Sequence, residues 1–225
     1  MERGFLVIKR EKVLKKIFES AQAYRKNLQD KNILFIFKKA HKVCWIEALF
    51  LARNFKHLTG VDSNIRANAF YSRALDKRLG TEDLGVLQGT TELKLDVLPV
   101  LIETLSGKTR KALMIGEKAQ VSGYYFHTEK MIGSVSRAVG CMGFVQEKSS
   151  FYVPNTVLKA DIREKTSESV PVEALYIKRR RDPLYEILFA RKTYDVSHIP
   201  EALRKKFLFS VPSVLFEGFF TLLKK

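Results

Sequence analysis

From Lys111 onward the chain breaks into short apolar runs, at 111–115, 121–127, 141–146, 150–153, 172–179 and 185–192. Gly116, Gly123, Gly133, Gly140, Gly143 and the pair Pro154-Asn155 punctuate them, as turns between antiparallel strands would. This pattern constrains the fold more than any other, because strands this short bury little surface alone and need a covering layer.

The first half supplies that layer. Val13, Ile17, Phe18, Ala21 and Tyr24 recur at helical spacing within residues 10–29, with Lys and Glu between them, and predict an amphipathic opening helix. Residues 32–39 and 43–53 are rich in Ile, Phe, Val, Cys, Trp and Leu around a basic Lys38-Lys39-Ala40-His41-Lys42, the pattern of a β-hairpin. Gly60 ends its second strand, and Asp62, Ser63 or Asn64 can cap a helix that runs to Leu79 and stops at Gly80. Thr90 or Thr91 opens a further helix, which Pro99 is expected to kink or restart before Ile102 and Leu105. Val172–Arg179 and Tyr185–Lys192 flank residues 180–184 as a second hairpin, Asp195–Lys206 reads as a helix, and the apolar residues 207–223 read as a packed terminal helix. The expectation is one α+β domain over residues 1–225, with helices packed on a small antiparallel sheet: an opening helix (1–30), a core (31–195) and a C-terminal helical extension (196–225).

The formal charge is +16 and unevenly spread. Residues 1–60 carry 14 Lys/Arg against 5 Asp/Glu, residues 61–110 carry 7 against 7, and residues 111–225 carry 19 against 12. A surface of this sign attracts phosphate through counterion release and steering, so nucleic acid is the leading partner. An anionic membrane or an acidic protein also fits the charge. No apolar run reaches bilayer-spanning length, Met1-Glu2-Arg3-Gly4 leads into no long apolar run suited to a secretory signal, and Cys44 and Cys141 stand far apart in apolar surroundings. A cytoplasmic protein with two reduced, buried thiols is expected.

Several chemistries lack their residues. The four histidines are scattered and neither CxxC nor HExxH spacing occurs, so no metal is expected. GxxxxGK[ST], GxGxxG and GxSxG are also missing, which removes nucleotide hydrolysis, dinucleotide redox and serine hydrolase readings and leaves no expected cofactor.

Five segments carry a resemblance: Phe55-Lys56-His57-Leu58-Thr59-Gly60, Phe70-Tyr71-Ser72-Arg73-Ala74-Leu75, Thr91-Glu92-Leu93-Lys94-Leu95-Asp96-Val97-Leu98-Pro99, Met114-Ile115-Gly116, and Tyr152-Val153-Pro154-Asn155-Thr156-Val157-Leu158 with Asp161-Ile162-Arg163. In this order and spacing they resemble the phage-associated branch of the barnase, EndoU, colicin and RelE-like nucleases, in its fourth subgroup. The resemblance covers roughly residues 30–195. It implies helices on a small antiparallel sheet and metal-independent RNA cleavage, with fold not settling chemistry because members of the wider group use different catalytic residues.

Such cleavage needs a base for the 2′-hydroxyl proton, cations for the phosphate and an acid for the leaving oxygen. His57 is the best acid-base candidate, since imidazole titrates near ~6.5, although a histidine helping to turn the chain is an alternative. By resemblance to nucleases that hold phosphate on a concave sheet face, Arg191 or Lys192 is the expected electrostatic stabiliser. His127, Thr128 and Lys130 lie in an aromatic stretch suited to stacking a base and gripping a phosphate, and Ser134, Ser136 and Arg137 extend the polar strip. Tyr152 lies beside an expected turn at Pro154, where Asn155 bonds its own backbone. Lys178, Arg179, Arg180 and Arg181 form the densest basic run, with a solvated turn as the plainer reading. Lys94, with Glu92 and Asp96 nearby, reads as a surface ion pair. The leading expectation is an RNA endonuclease of a phage or mobile element. A non-enzymatic anti-defence binder on a nuclease-like scaffold is the alternative, and a toxin with an acidic partner a further one.

Overall fold

The computed structural model describes residues 10–106, 113–119, 128–134, 140–147, 150–199 and 201–207. The opening helix, α1, spans Arg10–Asn27, and the first hairpin pairs β1 (Lys31–Lys39) with β2 (Lys42–Phe50) from Lys31↔Phe50 to Lys39↔Lys42. Ala40 and His41 make its tip with φ of 46° and 63°, the left-handed geometry that a two-residue hairpin loop requires at both central positions. Helices α2 (Phe55–Thr59), α3 (Ala67–Leu75) and α4 (Gly89–Leu105) follow, and α4 runs through Pro99 as one helix where a kink or restart was expected. The second half holds β3 (Leu113–Lys118), β4 (Lys130–Ser134), β5 (Gly140–Gln146), β6 (Tyr152–Leu158), the short α5 (Ile162–Lys165), β7 (Thr166–Arg179), β8 (Glu186–Ala190) and α6 (Glu201–Arg204).

The sheet corrects the expected fold class. Its strands follow the order β1-β2-β6-β5-β4-β3-β7-β8, and β7 returns to pair with β1. Seven strands therefore close into a mixed barrel, with β8 as an extra strand on β7, in place of helices on a small antiparallel sheet. The β2–β6 contact, at Ala48↔Tyr152, is parallel, and the other pairings are antiparallel. Closure depends on β7, whose first half pairs with β3 through Glu117↔Glu168 and Met114↔Pro171 and whose second half pairs with β1 from Phe37↔Val172 to Lys31↔Arg179. A strand that passes from one neighbour to another removes the free edges an open sheet would expose.

Pro154-Asn155 is likewise not a turn. Both residues lie inside β6, where Gly143 pairs with Thr156 and Phe144 with Pro154, so that Asn155 is the extra residue of a β-bulge. The predicted helix over 195–206 is reduced to a 3-10 turn at Val196–His198 and the single turn of α6. The expected strand at 121–127 and, beyond Phe207, the apolar terminal helix lie outside the described residues.

Strand β1 reads Ile-Leu-Phe-Ile-Phe because both of its faces are covered. Ile33, Phe35 and Phe37 join Val13, Ile17 and Tyr24 of α1, Leu95, Leu98 and Leu101 of α4, and Phe50 and Phe144 in the main core. Leu34 and Ile36, on the other face, pack with Tyr176, Tyr185, Tyr194, Leu203 and Phe207 in a second cluster. Of the two cysteines, Cys141 is buried and Cys44 only half-buried; both are free thiols. Among the described residues no helix is long and apolar enough to cross a membrane.

Candidate active site around Lys94

Glu92 and Asp96 flank Lys94 in sequence, yet neither pairs with it. Residues two apart on a helix do not face each other. Glu92 takes Lys12 at 2.7 Å and Lys16 at 3.3 Å, while Asp96 takes Lys16 at 2.5 Å and Lys159 at 3.8 Å. Lys94 instead shares its side of α4 with Leu98, Leu101 and Leu105, which are buried. It points toward β6 and donates from Nζ to Thr156 Oγ1 at 3.4 Å. Among the described residues no carboxylate lies within ion-pair distance of it. Burial accordingly pushes the Lys94 ammonium below the ordinary lysine pKa. The expected surface ion pair is thus replaced by a partly buried cation without a counter-ion among the described residues.

Two glycines make room for this arrangement. Gly60 ends α2 with φ of 67°, and a Cβ there would lie 2.5 Å from Lys94 Cδ. A Cβ on Gly143 would lie 2.8 Å from both Thr128 Oγ1 and Thr156 Cγ2. The lysine stem therefore rests on Gly60, and the two threonines meet over Gly143. Thr128 and Thr156 are both buried, and Thr128 Oγ1 donates to Asn155 Oδ1 at 3.0 Å. The β6 bulge places Asn155 and Thr156 together opposite Gly143, a distortion that commonly re-aims side chains beside functional sites. Lys94, Thr156, Thr128 and Asn155 form one cluster: an ammonium, two hydroxyls and a carboxamide, the donor set of a phosphate cradle.

The Phe55–Gly60 segment is explained mostly by building this cluster. Phe55 and Leu58 are core residues, and Thr59 Oγ1 donates to the Lys56 carbonyl at 2.7 Å. Lys56 Nζ donates to the Ser63 carbonyl and to the Ile65 carbonyl, the latter at 2.9 Å, and so fastens the following loop. The Gly60 carbonyl accepts from Thr91 Oγ1 at 3.0 Å, which ties α2 to the start of α4. His57 alone is exposed in the helix. Its carbonyl accepts from the Gly60 N–H at 3.3 Å, and Gly60 lies against the Lys94 stem.

Other sequence candidates lie elsewhere. Arg191 Nε donates to the Val172 carbonyl at 2.9 Å and ties the end of β8 to β7, while Lys192 is exposed. Strand β8 is separated from β6 by β7, β1 and β2, so the fold does not bring this pair into the Lys94 cluster. Lys130 pairs with Glu117 at 3.1 Å, and Lys39 pairs with the same carboxylate at 3.2 Å. Ser134 is buried. Tyr152 is half-buried; burial raises its phenol pKa, and the charges of Glu129 and Glu117 add to the shift. At the β7–β8 turn Lys178 donates to the Asp182 carbonyl at 3.1 Å and lies over the Tyr185 ring, while Arg179, Arg180 and Arg181 are exposed. His127, Ser136 and Arg137 lie outside the described residues. No group of acidic, His or Cys side chains able to hold a metal occurs among the described residues.

Sequence reasoning read Lys94 as a surface ion pair and Asn155 as a turn residue, and gave Thr156 no role of its own. A signal was present for the first: positions 94, 98, 101 and 105 form one helical stripe that is apolar except for the lysine. Asn155 and Thr156 gave none, because a bulge depends on the partner strand.

A family model for phage-associated nucleases matches residues 16–193, well over half of the chain, and the protein belongs to that family. The subgroup is PBECR4, phage-Barnase-EndoU-ColicinE5/D-RelE like nuclease4. Membership makes it a nuclease-family protein whose ligand class is nucleic acid. Comparison with curated proteins and with solved structures finds no match.

Proposed function

We propose that the protein is a metal-independent RNA endonuclease of a phage or mobile element, cleaving by attack of the 2′-hydroxyl on the adjacent phosphate. The observation that carries this reading is the unpaired, partly buried Lys94 among Thr128, Asn155 and Thr156 within the family's matched span. An ammonium held without a carboxylate is stabilised by an arriving phosphate, and more so as negative charge grows on the non-bridging oxygens. Lys94 and the Thr156 hydroxyl take that oxygen. The exposed imidazole of His57, one helical turn before Gly60, exchanges protons with the 2′-hydroxyl or the leaving oxygen. The arginines at the β7–β8 turn and Lys192 add sequence-independent attraction for the strand. Two free thiols support action in the reducing cytoplasm.

The test is cleavage of labelled total RNA in EDTA by the wild type and by Lys94→Met. Wild-type cutting that resists the chelator, with loss of cutting in the variant, is the expected result. Equal cutting by the variant overturns the role of Lys94, and chelator-sensitive cutting overturns metal independence. Intact RNA with a stoichiometric host protein complex overturns the enzymatic reading in favour of a binder.

A further inference from the structure

A second feature lies on the outer face of the barrel, away from Lys94. Asn32 of β1 stands between Leu49 of β2 and Lys178 of β7 in the sheet register. These three residues line a cleft of about 460 Å³, with Phe151, Arg53 and Arg180 also on its walls, a volume within the usual range for small-ligand sites. Asn32 is only 4% exposed. Its Nδ2 donates to Glu47 Oε1 at 2.9 Å, and Glu47 therefore fixes the sense of the amide. The opposite atom, Oδ1, is buried with no hydrogen-bond donor among the described residues. It is sealed from solvent, so Asn32 forms the closed floor of the cleft, and its side-chain amide reports on what binds above it.

The charges of the cleft suit an anion. Arg53 and Glu147 neutralise each other at 2.7 Å, and Asp30 accepts from Gln29 at 3.0 Å. Lys178 and Arg180 remain as the cations facing Asp30, and the exposed Arg179 and Arg181 flank them. Apolar surface from Leu49 and Phe151 completes the lining. An apolar wall beside a cationic rim is what a nucleotide satisfies, through its base faces and its phosphate.

The geometry points to a nucleotide-binding subsite in this cleft, occupied by a free nucleoside phosphate or by one unit of an RNA strand. As a unit of the substrate strand it would rest on the nuclease reading; as a nucleotide site it does not. The base rests on Leu49 and Phe151 above Asn32, and Arg180 with Lys178 holds the phosphate.

The experiment follows the Asn32 side-chain amide signals of the full-length protein by NMR during three titrations: adenosine, adenosine 5′-monophosphate, and an uncleavable 2′-O-methyl octanucleotide. The expected result is a saturable shift with the monophosphate or the oligonucleotide, weak or absent with adenosine, and a Kd raised about tenfold by Arg180→Glu, as loss of a charged hydrogen bond predicts. Arg180 is exposed, so this variant keeps the fold. Saturation by the oligonucleotide alone identifies the strand as the source, and saturation by the monophosphate alone identifies a free nucleotide. Failure of all three to move the Asn32 signals, or an Arg180→Glu Kd equal to that of the wild type, overturns the subsite. Because none of these ligands is cleaved, binding here without RNA cutting would sink the nuclease reading and leave the subsite standing, and cutting without binding would do the reverse.

Discussion

Lys94 of α4 and Thr156 of β6, 62 positions apart in sequence, meet at 3.4 Å between Nζ and Oγ1. The contact exists because Gly60 and Gly143 leave out the side chains that would fill it. If the Lys94 charge holds phosphate in the transition state, Lys94→Met should lower RNA cleavage by about 10²–10³-fold, the scale of removing one electrostatic stabiliser. The same change removes an unpaired, partly buried ammonium, so the melting temperature should stay equal or rise. A large fall in melting temperature alongside lost cleavage would indicate a structural lysine instead.

The pH profile should show the same group. Burial lowers the Lys94 pKa, so the ammonium is lost on the alkaline side before an ordinary lysine, near ~10.4, would lose it. Cleavage should therefore fall with rising pH below that value, and Lys94→Arg, which stays charged, should shift the alkaline limb upward. An unshifted limb in the arginine variant would assign the limb to another group.

Gly60→Ala should harm both stability and activity. At φ of 67° the added methyl costs about 1–2 kcal/mol of backbone strain, and it also displaces the Lys94 stem, which lies 2.5 Å from the new atom's position. Chemical denaturation and the cleavage assay measure the two effects separately. Unchanged values in both would contradict the packing described.

Glu47 governs acid stability on the opposite side of β1. Burial alone would raise its pKa, but donors from Tyr185, Asn32 and Lys206 outweigh burial and hold it below the ordinary carboxylate value. A depressed folded pKa contributes stability that is present above the unfolded value, near ~4.3, and is lost as pH falls through the folded value. Glu47→Gln should cost about 1–3 kcal/mol at neutral pH and flatten the loss of stability in acid. Melting curves between neutral pH and pH ~3 decide this, and parallel curves for the two proteins would refute it.

The cysteines should react in sequence. Burial pushes the Cys141 thiol up to about 12, whereas Cys44 is half-buried at the edge of the main core. Alkylation of the native protein near pH 8 should label Cys44, with Cys141 labelled only after unfolding. Mass spectrometry of the labelled peptides reads the order directly.

Much of the local structure is legible in the residues. Helix α1, the first hairpin with its basic tip and the β7–β8 hairpin all follow from spacing and turn chemistry. Strand β4 escaped because Lys-Met-Ile-Gly-Ser is too short and irregular to show a period of two. The first six residues of β7, polar and ending in Pro171, gave no strand signal because their extended form comes from pairing with β3.

By itself, then, the order of amino acids determined α1, the start of α4, most strands, the positive formal charge and the nuclease-family motifs, since each depends on neighbours within a few positions. Only the tertiary structure decided that β7 meets β1 to close a barrel, that Asn155 bulges opposite Gly143, and that Lys94 turns from its own helix's carboxylates to Thr156. Those three facts are contacts between residues far apart in the chain, and local periodicity carries no information about which distant edges meet.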